Sequence, residues 1–155
     1  TISTLSSESL RFLKSLDKGP KIINNKFAIA HGSLIDEDTY ILGRQYARED
    51  FYWLKEHNIK VSFFGHTHYQ IAYSYNEKDE IETIKDNEFF LENDKYYLIN
   101  PGSIGQPRDG NPNASFAVYD DEEQKIKIIR RVFRLFQINI EPVLMKNTGK
   151  IKNIP

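Results

Sequence analysis

The sequence of 155 residues predicts a single α/β domain, and three observations lead to this fold class. Apolar runs at residues 26–30 and 60–64 are short enough to be buried strands. Residues 38–57 lie between them and carry the pattern of a long amphipathic helix. After residue 69 the pattern changes to short alternating segments, which predict antiparallel strands. We therefore expect sheet packed on sheet with helices outside.

The remaining elements follow from capping and turn signals. Residues 4–16 predict a helix that Ser6 or Ser7 caps and that ends before Gly19 and Pro20. The β-rich part is predicted as strands at 70–75, 81–91 (one strand or two) and 95–99, with a hairpin formed by 115–119 and 125–133. No linker divides residues 1–155, and residues 147–155 are expected to form a loose tail.

Composition narrows the classes of function. Hydrophobic residues make up 39% and charged residues 28% of the chain, which is typical of a globular protein. The net charge of -1 gives no general attraction to nucleic acid or to an anionic membrane. The chain contains no cysteine, which excludes disulfides and thiolate metal sites and fits the cytoplasmic location that we expect. No apolar run is long enough to span a bilayer.

Two histidines follow the second buried strand, in the order Gly65, His66, Thr67, His68. In extended backbone, residues two apart point to the same side, so both imidazoles can face one cavity. Neutral imidazole is a ligand for Zn, Mn, Fe or Ni. The alternative is two polar residues on a loop, or histidines satisfied within the core, and the pair alone does not decide between these.

His31 ends the first buried strand and favours a shared site. Because a helix connects the two strands, they should be parallel, with their carboxyl ends on one edge of the sheet. That edge is where open α/β sheets bind ligands. We therefore predict that His31, His66 and His68 converge. His57 is left out, since it ends the predicted helix, where its charge would complement the helix dipole.

A third feature is the loop at residues 100–110, which reads NPGSIGQPRDG and again follows a strand. Its prolines and glycines predict a rigid loop with exposed amides. Ser103 can donate a hydrogen bond, and Arg108 can bind a phosphate through two parallel hydrogen bonds. The alternative is an ordered surface loop in which Arg108 pairs with Asp109.

These three features together resemble the calcineurin-like metallophosphoesterases. Residues 65–68 resemble the family's Gly-His-Thr-His signature, His31 resembles its isolated metal histidine, and the loop resembles that of the bacterial and archaeal phosphodiesterase-like branch (YfcE-like or diadenosine tetraphosphatase-like). The resemblance covers residues 4–133. It implies that the chain is the C-terminal part of a four-layer α/β/β/α sandwich.

The resemblance also implies a chemistry. His31 and His66 would bind one divalent metal and His68 a second, with Mn favoured over Fe, Zn or Ni. A water or hydroxide bridging the two ions would attack phosphorus in line. The loop would line the pocket through Asn100, Gly102, Ser103 and Arg108, the last as a substrate contact. The substrate would be a small-molecule phosphate ester or a nucleotide.

The sequence departs from the family in one large respect. The motifs Asp-x-His, Gly-Asp-x-x-Asp and Gly-Asn-His, which the resemblance places before His31, do not occur in the 30 residues before it. Three imidazoles without a bridging carboxylate should hold one metal at best, and weakly. We therefore expect a C-terminal portion that lacks the first half of the metal site and is inactive alone, with no catalytic residue assigned in it.

The alternative is a truncated protein without catalysis that serves as a protein-binding scaffold. Strands missing from the sheets would leave an exposed edge, through which the chain could associate with itself. No membrane partner and no specific nucleic-acid partner are expected.

Overall fold

The structure is a computed structural model and describes residues 5–132. The helices are α1 (Ser7–Ser15), a 3-10 helix (Arg44–Tyr46) and α2 (Arg48–Glu56). The strands are β1 (Lys21–Ile23), β2 (Phe27–Ile29), β3 (Val61–Phe63), β4 (Gln70–Tyr75), β5 (Ile81–Ile84), β6 (Glu88–Phe90), β7 (Tyr96–Pro101), β8 (Ala114–Asp120) and β9 (Lys125–Arg131).

The strands form two sheets. The larger has the order β1-β2-β3-β7-β4-β5, and the smaller has the order β6-β9-β8. The predicted parallel crossover is confirmed, because β2 pairs in parallel with β3 and Phe27 lies opposite Val61. Strand β7 continues the parallel set on the other side of β3. The carboxyl ends of β2, β3 and β7 therefore meet at one edge of the larger sheet.

Two apolar clusters hold these layers together. One lies between the larger sheet and the helical side, where Phe51 and Leu54 of α2 pack with Tyr73 and Leu98. The other lies between the two sheets and joins Ile99 to residues such as Ile126. Successive residues of β7 alternate between the clusters, as the pleat of a strand requires. The described residues thus form α/β/β layers, which confirms the predicted α/β class.

The predicted helix over residues 38–57 is wrong in its first half. Only Arg48–Glu56 is α-helical, and residues 36–43 form turns and irregular backbone. Asp36 accepts hydrogen bonds from Asp38 N and Thr39 Oγ1, which builds a local turn instead of a helix. Ile41 is buried at 1% exposure whereas Leu42 is exposed at 62%, so the apolar pattern did not mark one helical face.

The first helix is confirmed, but its apolar side chains are exposed instead of packed against the core. Ser6 caps α1 by accepting a hydrogen bond from Ser9 N at 3.1 Å. The apolar side chains Phe12, Leu13 and Leu16 are nevertheless exposed, and no residue of α1 is buried.

Three further outcomes concern the predicted boundaries. The segment 81–91 holds two strands, and the turn at 76–79 separates β4 from β5 as predicted. The predicted tail at 147–155 lies outside the described residues, and the single domain over 1–155 stays a prediction. Within residues 5–132, no helix is both long and apolar enough to cross a membrane.

Candidate functional site

His31 and His66 lie side by side at the edge where the parallel strands end. The backbone joins the two segments beyond their strands, since Gly65 N donates to the His31 carbonyl oxygen at 2.8 Å. The side chains then meet, with Nδ1 of His66 2.8 Å from Nε2 of His31 and ring centroids 4.6 Å apart. The predicted convergence therefore holds for this pair of imidazoles.

His68 follows the same strand end but turns to a different partner. Its Nδ1 lies 2.9 Å from the carbonyl oxygen of Gln106, and its own carbonyl oxygen accepts a hydrogen bond from Arg108 N at 3.0 Å. A carbonyl can only accept, so Nδ1 carries a proton, and in the neutral imidazole the lone pair is then on Nε2. A histidine that donates one ring N–H to a carbonyl is the usual arrangement of a metal ligand.

The donor set fits part of a metal coordination shell. Two imidazole nitrogens bound at about 2.1 Å to one ion, at right angles, lie about 3 Å apart, close to the separation of His31 and His66. Over residues 5–132, however, no group of three or more His, Cys, Asp or Glu side chains is placed to hold an ion. The described residues thus offer two adjacent histidine nitrogens as metal ligands, and the third histidine, His68, is not grouped with them.

The Gly65–His68 segment has an unusual backbone. His66 and His68 have φ of 63° and 56°, in the left-handed region that few residues other than glycine adopt. Such backbone persists only where its surroundings fix it, and it concentrates at functional sites. Here the intervening Thr67 is buried, and its hydroxyl oxygen accepts hydrogen bonds from Asn100 Nδ2 and Tyr69 N.

Asn100 connects two of the predicted motifs. Its side chain is fully buried and donates from Nδ2 to Gly65 O and to Thr67 Oγ1, both at 2.9 Å. Its Oδ1 accepts from Gly102 N at 2.9 Å. Asn100 was predicted to line the pocket, and the structure places it below the surface, where it ties the loop after β3 to the loop after β7.

The other loop residues are placed as follows. Gly102 has φ of +90°, and a Cβ there would lie 2.9 Å from Ser115 Cβ, so the turn requires glycine. The Ser103 hydroxyl accepts a hydrogen bond from Gln106 N at 3.0 Å. Arg108 is exposed, and its Nη2 donates to Gln106 Oε1 at 3.0 Å.

The surface pairing of Arg108 with Asp109 does not form. Asp109 pairs instead with Arg130 of β9, and its side chain is only 6% exposed. Burial raises the pKa of Asp109, but hydrogen bonds from Arg130 and from backbone amides outweigh it and hold that pKa below its usual range. The Arg108 guanidinium is therefore not neutralised by its neighbour.

A buried carboxylate, which the sequence analysis missed, holds the loop after β2. Asp50 in the first turn of α2 accepts hydrogen bonds from Ser33 Oγ at 2.9 Å and from Leu34 N at 2.5 Å. Burial raises the pKa of Asp50, and these two donors oppose that effect. The signal was present in the sequence, because Asp50 is four residues before Leu54, on the core side of the helix.

A second missed residue is Tyr40. Its ring packs against His66 with centroids 4.0 Å apart and an interplanar angle of 39°. The close approach depends on Gly32, where a Cβ would lie 2.7 Å from the carbonyl oxygen of Thr39. Because Tyr40 was expected to lie in the helix over residues 38–57, nothing in the pattern indicated that it reaches the histidines.

A cavity of about 270 Å³ lies on the other side of His31. Its lining includes Lys18, Lys21, Asp17 and Glu37. Lys21 pairs with Asp17 at 2.6 Å, and Gly19 N donates to Glu37 at 2.5 Å. The lining is therefore of mixed charge, Ile29 and Ala30 add apolar surface to it, and the cavity opens beside one of the two adjacent imidazoles.

Two known proteins show what the chain is similar to. The chain is 32% identical over 137 residues to an uncharacterized protein of Methanocaldococcus jannaschii, with 84% of this chain and 51% of that protein covered. It superposes with a TM-score of 0.64 on the crystal structure of a metallophosphoesterase from Sphaerobacter thermophilus, at 28% identity, covering 86% of this chain and 56% of that one. No protein-family profile matches the chain.

The chain spans about half the length of these relatives. Its fold is that of part of a metallophosphoesterase, and the similarity in structure and sequence supports the superfamily that the motifs indicated. The archaeal relative has no described activity, so it adds sequence similarity without adding a function.

Proposed function

We propose that the protein is a metal-dependent phosphoesterase in which this chain supplies one side of a binuclear centre. The observation that carries the proposal is the pair of imidazole nitrogens, from His31 and His66, at 2.8 Å on the carboxyl edge of the parallel strands. A fold similar to a known metallophosphoesterase supports it. When bound, the divalent ions would supply Lewis acidity and a nucleophilic water at neutral pH.

We assign separate roles to the residues of this chain, as metal ligands or as residues that position those ligands. His31 and His66 offer two adjacent donors to one ion, and His68 offers Nε2 to the other. Tyr40 packs on His66 and restricts the rotation of its ring. Asn100 and Asp50 fix the loops that carry the histidines. The remaining ligands are proposed to come from motifs outside these residues, so the chain alone should hold at most one ion, weakly, and turn over little or no substrate.

For the substrate we propose a small phosphate ester or a nucleotide, cleaved as in the phosphodiesterase-like branch. Arg108 is exposed on the loop that contacts His68, and its guanidinium is free of Asp109, which suits a contact to a phosphate oxygen. Manganese is the proposed metal, with Fe, Zn and Ni as alternatives. The expected cytoplasmic location stays a prediction.

The test is hydrolysis of bis(p-nitrophenyl) phosphate by the complete gene product with added Mn²⁺. Turnover that H66A abolishes and H57A leaves unchanged is the expected result. His57 is a suitable control because it ends α2, where its ring stacks on Trp53. A folded complete protein without turnover under any of the four metals would remove the proposal.

One observation favours a second candidate, a non-catalytic scaffold that binds protein. Phe12 and Leu13 of α1 and Leu16 directly after it are exposed apolar side chains, and the larger sheet ends at the three-residue strand β1. Light scattering on the chain distinguishes this candidate. Self-association that L13E abolishes, together with a complete protein that lacks phosphoesterase activity, would favour the scaffold.

A further inference from the structure

We propose that Arg130 is a positioning residue for His68 and acts through Asp109 and the loop at residues 106–109. Its effect on catalysis rests on the function proposed above, whereas its effect on the loop does not. Arg130 lies in β9, sixty-two positions along the chain from His68, and no motif of the sequence drew attention to it.

The guanidinium of Arg130 is directed at the site rather than at its own sheet. Its Nη2 and Nη1 pair with the carboxylate of Asp109, and Nη1 also donates to the carbonyl oxygens of Asn111 and Asn113 at 3.2 Å. Its Nε donates to Gln70 Oε1 at 2.8 Å. All of these acceptors belong either to the loop after β7 or to the residue two positions after His68.

Asp109 links Arg130 to residues 68–70 through hydrogen bonds. It accepts a hydrogen bond from Gln70 N at 3.1 Å, while Arg108 N donates to the His68 carbonyl oxygen at 3.0 Å. The Gln106 carbonyl oxygen accepts the hydrogen bond from His68 Nδ1–H. Residues 106–109 thus run beside residues 68–70 and hold both the backbone and the ring of His68.

The arrangement requires the charge on Arg130. The Asp109 side chain is 6% exposed and that of Arg130 is 18% exposed, so removing the cation would leave a carboxylate nearly buried and unpaired. Such a group strongly favours a conformation that returns it to water. Lysine keeps the charge but lacks the planar fork that reaches Asp109 and Gln70 together. The loop should therefore move away from His68 in R130Q and loosen in R130K.

The matched control is R131Q. Arg131 is exposed in the same strand, and within residues 5–132 its side chain donates to the Arg130 carbonyl oxygen rather than to the loop. Hydrogen exchange by NMR on the 155-residue chain gives a readout that needs neither metal nor activity. We expect the amides of Arg108 and Gln70 to exchange at least about tenfold faster in R130Q than in wild type, to change less in R130K, and to be unaffected in R131Q.

Two further readouts separate positioning from general instability. The amides of Tyr73 and Leu98, in the β4–β7 pair, should keep their wild-type protection. The long-range ¹⁵N–¹H spectrum of His68 should change from the Nδ1–H tautomer to a mixture. Unchanged exchange at Arg108 and an unchanged tautomer in R130Q would overturn the proposal. If R130Q fails to fold, D109N provides the same test, because it removes the carboxylate charge in an isosteric side chain.

In the complete protein, the consequence is a fall of about 10- to 100-fold in kcat/KM for R130Q, the range seen when a partner behind a metal ligand is removed, with R131Q at the wild-type value. An inactive wild-type protein with the exchange pattern described above would reject the phosphoesterase but keep the positioning role. An active R130Q with wild-type kinetics would reject the positioning role alone.

Discussion

The loops after β2 and β7 flank the same site but are held in different ways. The loop that carries His31 is attached to the helical layer through one buried carboxylate, Asp50. The loop at residues 100–113 is attached to both sheets, through Asn100 at its start and through Arg130 near its end. The side of the site next to His68 is therefore fixed by a polar network of several side chains. On the side next to His31, Asp50 is the buried side chain that holds the loop, and the Gly65 N–His31 O hydrogen bond adds a backbone contact.

The difference indicates where the site can adjust. His31 and Tyr40 are exposed, and the cavity beside His31 is open and lined by charged side chains of both signs as well as by apolar ones. His68 is half-buried, with hydrogen bonds to its ring and to its carbonyl oxygen. The ligands that we propose to lie outside these residues would meet the site on the His31 side, while the contacts around His68 are made within residues 5–132.

The largest effect on stability is expected at Asn100. N100A removes three hydrogen bonds made by a fully buried side chain, takes one donor each from Gly65 O and Thr67 Oγ1, and takes the acceptor from Gly102 N. We expect the free energy of unfolding to fall by about 4 kcal/mol, measured by urea denaturation. N111A is the control on the exposed part of the same loop and should cost less than about 1 kcal/mol. Equal losses in the two variants would mean that the network does not fix this loop.

A smaller loss is expected on the other side of the site. D50A should lower the free energy of unfolding by about 3 kcal/mol, because a buried hydroxyl and a buried amide lose their acceptor. D50N keeps an oxygen for Leu34 N and should cost less than D50A, and the exposed neighbour variant E49Q should be neutral. If D50A lost more stability than N100A, the loop after β2 would be the more strongly held of the two, which would contradict the comparison.

The sequence predicted the β-rich part of the fold better than the segment between the histidine motifs. Strand β4 was predicted with both of its ends, because its limits coincide with a change of hydrophobic pattern and a turn signal. The helix over 38–57 was overextended, because contacts distant in sequence, such as the approach of Thr39 to Gly32, determine that backbone. Local patterns cannot contain such information.

The site residues likewise divide into those that local sequence patterns revealed and those that only the structure revealed. His31, His66 and the loop at 100–110 were found because each follows a predicted strand. Asp50 was visible as a charge on the core side of a helix but was not interpreted. Tyr40 contacts His66, and Arg130 contacts Gln70 and Asp109 beside His68, only through tertiary packing, so their roles needed coordinates.

Two glycines in the loop after β7 are expected to differ in their effect on stability, and the difference is smaller than that between N100A and D50A and their controls. G102A forces alanine into φ of +90° and brings its Cβ to 2.9 Å from Ser115 Cβ, so we expect a loss of about 2 kcal/mol. A Cβ at Gly105 meets nothing within 4 Å, so G105A should change the free energy of unfolding by less than about 0.5 kcal/mol. Thermal unfolding of both variants checks this. Similar melting temperatures would show that the loop adapts at residue 102.

The smallest effect concerns the strand that carries Arg130. Glu88 of β6 pairs with Lys125 and Lys127 of β9, and these hydrogen bonds lower its pKa from 4.5 to about 2. A lowered carboxyl pKa adds stability above the unfolded value, and this stability is lost as the pH falls from about 4.5 through 2. The melting temperature of E88Q should be slightly below wild type at pH 6 and equal to it near pH 2. A gap that persists near pH 2 would contradict this assignment.

The most direct test of the account is Mn²⁺ binding to the 155-residue chain, followed by paramagnetic broadening of the histidine ring signals. We predict weak binding of one ion that broadens His31 and His66 first and leaves His57 sharp, with H66A lowering the affinity more than about tenfold and H57A leaving it unchanged. Binding that is indifferent to H66A, or broadening centred on His57, would contradict the claim that His31 and His66 form a metal-binding pair.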